Sequence, residues 1–377
     1  MSKRIFISDT NCITSLGLDI LSNWKAVSNG LSGIELHEKN ELFEKSFYGS
    51  MVNNGSLNKA ASENLLVGEY TKLEKMLLLA LLPLINKNKV SENSLLILST
   101  TKGNISLLRN KNIAIEEVQL ANLAKKIAVF FGFKKEPIVV SNACVSGLLA
   151  ISVAKDLIQA NVCENAYVVA GDEISEFILS GFTSFQAMSS KPCRPYDAAR
   201  DGVTIGEASA AVFMDSNLDV KGTFEVVGSG AVNDANHISG PSRTGEGLYL
   251  SILSALKEAN VSQSEIDFIS AHGTATLYND EMEAIALNRL NLQNVPVNSM
   301  KGYYGHTLGA SGLLETVLSI ESAKHEKLIV SLGYQDKGIT QQINLIQKPE
   351  KKQITHFLKT ASGFGGSNTA VIFKKIN

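Results

Sequence analysis

One cysteine in this chain has the sequence context of a catalytic nucleophile. Cys144 follows the apolar run 137–140 and precedes the apolar run 148–154, a pattern that predicts a buried strand, a polar turn and a helix. A thiol at the first turn of a helix faces unpaired backbone N–H groups and the positive end of the helix dipole, which favour the thiolate. The alternative for an isolated cysteine is a small buried hydrophobic side chain.

Two histidines stand in comparable places later in the chain. His272 directly follows a strand predicted at 267–270, and His306 lies between Gly305 and a predicted helix. The neighbouring glycines allow the backbone to approach closely, as active sites require. Each histidine taken singly is most often a structural residue, but the two together with Cys144 predict one active site.

Composition narrows the class of protein. The 377 residues are 44% hydrophobic and 19% charged, which is enough for a large core and more than one domain. A net charge of −2 does not indicate a basic face, so we expect no nucleic-acid partner. The four cysteines lack metal-ligand spacing, so neither a zinc site nor a disulfide framework is predicted. With no signal-peptide pattern and no apolar run long enough to span a membrane, we expect a cytoplasmic protein.

Short β-rich runs alternate with helical patterns, which predicts an α/β protein whose sheets are covered on both faces. The chain restarts near residue 217. We therefore predict a first domain at 1–216, carrying the cysteine, and a second at 217–377, carrying both histidines and a glycine-rich loop. Both halves contain a strand, a polar turn with a reactive side chain and a glycine-containing helix, which indicates an internal duplication.

Several ordered motifs in this chain resemble those of the β-ketoacyl-acyl-carrier-protein synthases, the condensing enzymes of the thiolase fold. The likeness runs nearly end to end. The motifs are Ala143-Cys144, His272-Gly273-Thr274-Ala275-Thr276, Lys301 five residues before His306, Gly363-Phe364-Gly365-Gly366-Ser367-Asn368, the opening segments 13–17 and 30–34, and the mid-chain signature 194–207.

The resemblance implies a thiolase-like fold of two pseudo-duplicated βαβαβαββ halves in a five-layered αβαβα arrangement. It also implies a decarboxylative Claisen condensation, in which Cys144 holds an acyl group as a thioester. Malonyl-ACP then supplies a carbanion by losing CO2, while neutral His272 and His306 donate hydrogen bonds to the enolate. The substrates are phosphopantetheine thioesters on acyl carrier protein, and no bound cofactor or metal is implied.

The resemblance further assigns supporting residues. The backbone N–H groups of Cys144 and Phe364 form an oxyanion hole, with Gly363 and Gly365 flanking Phe364 in a gate loop. The remaining assignments are Lys301 and Glu315 as a pair that supports the site, Thr274 and Thr276 as the lining of the channel for the carrier's arm, and His237 as a structural residue.

The chain departs from the family pattern at the gate and around the acyl pocket. Ser362 replaces the first aromatic residue of the gate, Tyr303 and Tyr304 stand where smaller or methionine-like side chains are common, and segment 102–140 is short. The resemblance leaves fatty acid, polyketide or aryl polyene-type biosynthesis as the pathway, and these differences favour a secondary pathway, such as aryl polyene synthesis, over standard fatty acid elongation.

The family resemblance leaves two alternative functions open and also predicts a dimer. One alternative is a chain-length-factor-like subunit of a ketosynthase heterodimer, and the other is a thiol hydrolase of acyl thioesters. The strand at 165–171 is expected to be an edge strand that pairs across a two-fold axis, giving a homodimer or a heterodimer.

Overall fold

The computed structural model describes residues 3–39, 41–66, 68–217, 220–234 and 240–376. His237 lies outside the described residues, so its structural role stays a prediction. Within the described ranges, no helix has both the length and the apolar character needed to cross a membrane.

The first half of the chain builds one set of strands and helices. In chain order these are β1 (Phe6–Thr14), α1 (Ile20–Ser28), β2 (Glu35–His37), β3 (Phe47–Ser50), α2 (Asn54–Glu63), α3 (Lys72–Asn88), β4 (Ser94–Ser99), α4 (Leu120–Phe131), β5 (Ile138–Val140), α5 (Ser146–Gln159), β6 (Asn165–Asp172), α6 (Glu176–Ser184), β7 (Ile205–Gly206) and β8 (Ala208–Asp215).

The second half repeats much of this order. Its elements are β9 (Phe224–Asn233), α7 (Glu246–Ala259), β10 (Phe268–Ser270), α8 (Leu277–Arg289), β11 (Pro296–Asn298), α9 (Lys301–Tyr304), α10 (Ser311–Lys324), β12 (Lys327–Leu328), β13 (Asn344–Leu345), β14 (Glu350–Lys351), β15 (His356–Gly363) and β16 (Ser367–Lys375).

The strand order is the same in both halves. The first half runs β1-β8-β6-β4-β5 and the second runs β9-β16-β15-β10-β11, with β13 added at the far edge. In each set the first two pairings are antiparallel and the last two are parallel. The two sets join where Phe6 and Ile7 pair with Glu225 and Phe224. The predicted βαβαβαββ repeat is therefore present in each half, while the boundary at residue 216 stays a prediction.

Three hydrophobic clusters separate the structure into five layers. Helices α3 and α4 cover the outer face of the strands of the first half, and α7 and α8 cover the outer face of the strands of the second half. The largest cluster lies between the two sheets and contains α5 and α10. Because helices cover both faces, strands such as β4 are buried along their whole length and appear in the sequence as unbroken apolar runs. The predicted αβαβα arrangement is confirmed.

The two central helices meet at a pair of glycines. A Cβ atom on Gly147 of α5 would lie 2.7 Å from the carbonyl oxygen of Gly309, and one on Gly312 of α10 would lie 2.7 Å from the backbone nitrogen of Leu148. Each helix therefore approaches the backbone of the other half more closely than any side chain permits. This crossing brings the cysteine of one half next to the histidines of the other.

The prediction of an edge strand at 165–171 is wrong. Strand β6 pairs with β4 on one side and with β8 on the other, and all eight of its residues have a partner in β8. In the sequence an apolar run looks the same in a central strand as in an edge strand. Within the described residues the edge of the first sheet is β5, a strand of three residues that pairs with β4.

Replacing Gly147 with alanine should destabilise the fold, because the new methyl group overlaps backbone that cannot move aside. We expect the free energy of unfolding to fall by roughly 1–3 kcal/mol in urea titrations. Gly181→Ala in α6 is the matched control, since its Cβ meets no described atom within 4 Å. Equal stability of the two variants would contradict the close helix crossing.

Candidate active site

Cys144 lies in a strained turn between β5 and α5. The preceding residue, Ala143, has φ of +43°, a left-handed conformation that costs free energy for any residue with a side chain. Ser146 holds the turn: its hydroxyl accepts a hydrogen bond from the Asn142 N–H at 2.7 Å and donates to the Ala143 carbonyl at 2.6 Å. Cys144 thus stands two residues before the first residue of α5, slightly earlier than the sequence predicts.

The glycine-rich loop after β15 brings a backbone donor to the thiol. The N–H of Phe364 is directed at Cys144 Sγ. A Cβ on Gly363 would lie 3.0 Å from the Cys144 nitrogen, and one on Gly366 would lie 1.8 Å from the Asp234 oxygen. Gly365 and Gly366 also have positive φ values, +82° and +83°. The loop can therefore approach the thiol only because these positions lack side chains.

Two carboxylates that sequence reasoning missed hold the His272 loop. Glu283 accepts the backbone N–H groups of His272 at 2.8 Å and Gly273 at 2.6 Å, and Asp280 accepts that of Thr274 at 3.0 Å. Both acids lie on α8, three positions apart, so they share one face of the helix. That spacing directly after the histidine loop was the available signal.

The mid-chain signature 194–207 positions both histidines, in agreement with its predicted architectural role. The Tyr196 hydroxyl donates to Glu283 at 3.0 Å. The His306 N–H donates to the Thr204 carbonyl at 2.6 Å, and the Gly206 N–H donates to the His306 carbonyl at 3.0 Å. The signature thus fixes the backbone of one histidine directly and that of the other through α8.

Hydrogen bonds at Nδ1 assign the tautomer of each imidazole. The backbone N–H of Leu308 donates to His306 Nδ1 at 3.2 Å, and the Ser311 hydroxyl lies 2.9 Å from the same atom. Lys301 Nζ lies 3.4 Å from His272 Nδ1, and an ammonium can only donate. Since Nδ1 accepts in both rings, the hydrogen of each neutral ring is on Nε2.

The three reactive side chains meet at one point. Cys144 Sγ and a ring nitrogen of each histidine all lie within 4.8 Å of one another. The two imidazoles are edge to face, with centroids 5.2 Å apart. Burial first, and then the ammonium of Lys301, hold the pKa of both rings well below the ordinary histidine value. Both are therefore neutral hydrogen-bond donors at physiological pH.

Burial dominates the acidity of the nucleophile. It raises the pKa of Cys144 to about 11, against the opposing effects of the Lys301 charge and the Phe364 N–H. The sequence predicts the opposite direction, because it reveals the helix terminus and not the depth of the site. At physiological pH Cys144 of the free protein is therefore mostly a thiol, with a small thiolate fraction that grows as the pH rises.

Lys301 and Glu315, predicted as a supporting pair, are joined as an ion pair with Nζ and Oε1 2.7 Å apart. The structure adds a member that sequence reasoning missed: Lys359 of β15 lies 2.6 Å from the other oxygen of Glu315. All three side chains are buried. A lysine in the middle of an apolar strand was the available signal for this third member.

A cavity of about 450 Å³ opens over the thiol and both imidazoles. Thr274 and Thr276 line it, with their hydroxyl oxygens 2.9 Å apart. Phe182 stacks on the gate residue Phe364 at 5.7 Å between ring centroids, and Phe185 contacts the same ring edge-on at 5.5 Å.

The two residue types that depart from the family pattern differ in location. Ser362 lines the cavity and donates to Asn368 Oδ1 at 2.8 Å. Tyr303 and Tyr304 instead pack in the cluster between the sheets, where the Tyr303 hydroxyl donates to the Val330 carbonyl at 3.0 Å. The tyrosines therefore contribute to core packing, and Ser362 forms part of the cavity wall.

A cysteine and two histidines are also a possible metal-ligand set, but their surroundings do not fit one. A histidine that binds a metal through one nitrogen normally donates the hydrogen of its other nitrogen to an acceptor. Here the second nitrogen of each ring faces a donor, Leu308 N–H or the Lys301 ammonium. The arrangement suits hydrogen-bond donation toward the cavity.

Comparisons with known proteins place the chain in a family. Residues 91–219 match the model of the β-ketoacyl synthase N-terminal domain, and residues 223–335 match that of the C-terminal domain. A putative mitochondrial 3-oxoacyl-[acyl-carrier-protein] synthase of Schizosaccharomyces pombe is 27% identical over 99% of each chain. A 3-oxoacyl-[acyl-carrier-protein] synthase 2 of Rhizobium meliloti is 34% identical over 63% of this chain and 60% of the relative. The chain belongs to the β-ketoacyl synthase family.

Solved structures support the fold assignment. A ketosynthase of Xenorhabdus doucetiae, solved in complex with its chain length factor, superposes with a TM-score of 0.87 at 24% identity, covering 99% of this chain and 98% of that one. A β-ketoacyl synthase of Burkholderia phymatum superposes with a TM-score of 0.85 at 21% identity over 100% of both chains. The predicted thiolase-like fold is confirmed.

The raised pKa of Cys144 predicts the pH dependence of its alkylation. Below pH 11 the thiolate fraction grows about tenfold per pH unit, so the iodoacetamide rate at Cys144 should rise without levelling between pH 7 and 10. Mass spectrometry of the Cys144 peptide measures the rate, with Cys144→Ala as the blank. A plateau below pH 8 would contradict the dominance of burial and favour the helix terminus.

Proposed function

We propose that this protein is a 3-oxoacyl-[acyl-carrier-protein] synthase, an acyltransferase that performs a decarboxylative Claisen condensation. The observation that carries the proposal is that a buried thiol and a ring nitrogen of each of two buried histidines lie within 4.8 Å of one another in one cavity. A condensing enzyme needs a nucleophile to hold an acyl group and donors to stabilise an enolate. The same catalytic residues supply both.

In the first half-reaction Cys144 takes the acyl group. Its sulfur attacks the thioester carbonyl of the acyl carrier, the carbon–sulfur bond to the carrier breaks, and the proton of Cys144 leaves with the carrier's thiol. The carbonyl oxygen becomes negative in the transition state. The backbone N–H groups of Cys144 and Phe364 are the donors proposed for that charge.

In the second half-reaction the malonyl thioester loses CO2. The electrons of the broken carbon–carbon bond form an enolate, whose oxygen accepts hydrogen bonds from His272 and His306 Nε2. The enolate carbon then attacks the acyl group on Cys144, and the sulfur leaves as a thiolate, which takes a proton from water to restore the thiol. A protonated imidazolium could transfer its proton to the enolate and quench it. Because both imidazoles are neutral, each donates a hydrogen bond to the enolate oxygen without transferring a proton.

The substrates and partners belong to the same proposal. Phosphopantetheine thioesters on an acyl carrier protein reach the thiol past Thr274 and Thr276, and no bound cofactor or metal is required. The exposed side chains of Leu277 and Tyr278 at the cavity mouth offer an apolar rim. A cytoplasmic location fits a reaction that needs Cys144 as a free thiol.

The proposed assembly is a dimer, either of two copies or with a ketosynthase-like subunit. The short edge strand β5 leads directly into the Cys144 turn, so its pairing with another chain would steady the nucleophile. Solved relatives include a ketosynthase paired with its chain length factor and one bound to an acyl carrier protein.

The two alternative functions fit the site less well. A chain-length-factor-like subunit has no use for a thiol with two donors around it. A thiol hydrolase needs an imidazole nitrogen that can take a proton from water, and here Nδ1 of each ring already accepts a hydrogen bond.

Substitutions should separate the two half-reactions. Cys144→Ala should abolish condensation while CO2 release from malonyl carrier persists, because the enolate donors remain. His272→Ala and His306→Ala should each slow CO2 release by roughly 10²- to 10³-fold. Radiolabelled CO2 release and product mass measure the two steps. Loss of both activities in a folded Cys144→Ala variant would contradict the separate roles.

We further propose that the acyl substrate is rigid and planar, as in aryl polyene synthesis. Phe182, Phe185 and Phe364 present aromatic surfaces to the cavity, and a conjugated chain can stack on them. A planar chain also has fewer rotamers to lose on binding than a saturated one.

Competition between the two chain types tests this assignment. With equal amounts of polyenoyl and saturated acyl carriers of the same length, the intact mass of the protein should show mostly polyenoyl groups on Cys144. Ser362→Phe, which restores the missing gate aromatic, should narrow the range of accepted chains. A preference of the unmodified protein for saturated chains would restore fatty acid elongation as its role.

A further inference from the structure

Lys359 is an ammonium ion enclosed in the core of the second half. It lies in the middle of β15, and its side chain has no exposed surface. Nζ lies 2.6 Å from Glu315 Oε2 and donates to the carbonyls of Ser270 at 3.1 Å, Ala271 at 3.3 Å and Thr360 at 2.7 Å. Burial lowers the pKa of Lys359, while the charge of Glu315 opposes that effect. Three carbonyl acceptors can take all three hydrogens of an ammonium, so the surroundings favour the charged form.

These contacts reach His272 by two routes. Ser270 and Ala271 are the residues directly before His272, so Lys359 holds the end of β10 from which the imidazole projects. Glu315, the other partner of Lys359, accepts from Lys301 through Oε1 at 2.7 Å, and Lys301 lies 3.4 Å from His272 Nδ1. The order of contact is thus Lys359, Glu315, Lys301, His272.

The charge of Lys359 also alters the electrostatics of the site. Glu315 alone would neutralise Lys301, whereas the cluster of two lysines and one glutamate carries a net positive charge. Burial has the largest effect on both imidazoles, and the charges of Lys301 and then Lys359 further lower their pKa values. A positive site disfavours imidazolium and preserves the neutral Nε2–H form.

We propose that Lys359 is a positioning residue for the condensation reaction, which keeps Glu315 and Lys301 in register with His272 and keeps both imidazoles neutral near pH 6. This inference rests on the proposed function for its catalytic consequence. Its electrostatic part concerns the free protein and can be measured without substrate.

The direction of the pH effect follows from the groups that surround the imidazoles. His272 faces Lys301, His306, Cys144 and the cluster of Lys359 and Glu315, while Glu283 and Asp280 bind its loop through backbone N–H groups. Removing the Lys359 charge leaves a neutral pair of Lys301 and Glu315. The pKa of both histidines should then rise, and the rate of CO2 release at acidic pH should fall.

Lys359→Gln is the informative variant, because its amide can still donate to the Ser270 and Ala271 carbonyls without a charge. We expect the acidic limb of the CO2-release profile to move to higher pH, with kcat reduced more at pH 6 than at neutral pH. KM for malonyl carrier should change less than twofold. In ¹³C-histidine NMR titrations of the free protein, His272 and His306 should protonate at higher pH than in the unmodified protein.

Lys155 provides a matched control. It is also buried and lies 2.6 Å from a glutamate oxygen, that of Glu258, and 3.0 Å from the Ser229 hydroxyl. Lys155→Gln should lower stability without moving either histidine titration or the acidic limb. Lys359→Arg keeps the charge, so its histidines should stay neutral at pH 6 even where its larger side chain lowers stability.

Unchanged histidine titrations in Lys359→Gln would overturn the inference, as would identical titrations in the glutamine and arginine variants. A protein that releases no CO2 from malonyl carrier but whose histidine titrations shift as expected would contradict the proposed function and leave the role of Lys359 supported. The two failures are therefore distinguishable.

Discussion

The chemistry of this site depends on what the protein places at Nδ1 of each imidazole. A backbone N–H at His306 and an ammonium at His272 leave each ring one arrangement of its hydrogen. That hydrogen is on Nε2, and a ring nitrogen of each histidine lies within 4.8 Å of the thiol sulfur. Had the protein placed a carboxylate at either Nδ1, the ring would carry its hydrogen there and Nε2 would be a base. The difference between a donor and a base at this point is the difference between stabilising an enolate and activating water.

Burial strengthens the hydrogen bonds of this site and also makes its charged groups costly to keep there. It lowers the pKa of both histidines and raises that of Cys144, so every reactive group is neutral in the free protein. Hydrogen bonds in such a site are stronger than in water, but each buried charge needs a partner. The lysines meet this need by sharing the two oxygens of Glu315. The close crossing of α5 and α10 then brings the thiol of one half to the donors of the other.

Much of this site could be predicted from the sequence, because its reactive residues lie in local motifs. Cys144, His272 and His306 each follow a recognisable turn, and the repeated strand order of the two halves is reflected in alternating apolar and helical runs. What the sequence did not reveal depends on contacts between distant segments. Glu283, Asp280 and Lys359 act across the fold, and the acidity of Cys144 depends on how deeply it is buried. The edge strand was misplaced for the same reason, since a strand's neighbours are set by the whole sheet.

The most direct test of the account is the tautomer of the two imidazoles. Long-range ¹H–¹⁵N correlation spectra of protein labelled with ¹⁵N-histidine, assigned with His272→Asn and His306→Asn, distinguish protonated from unprotonated ring nitrogens. At pH 7 we expect both rings to have an unprotonated Nδ1 and a protonated Nε2. A hydrogen on Nδ1 of either ring, or an imidazolium at that pH, would contradict the central claim that both histidines are neutral donors aimed at the substrate.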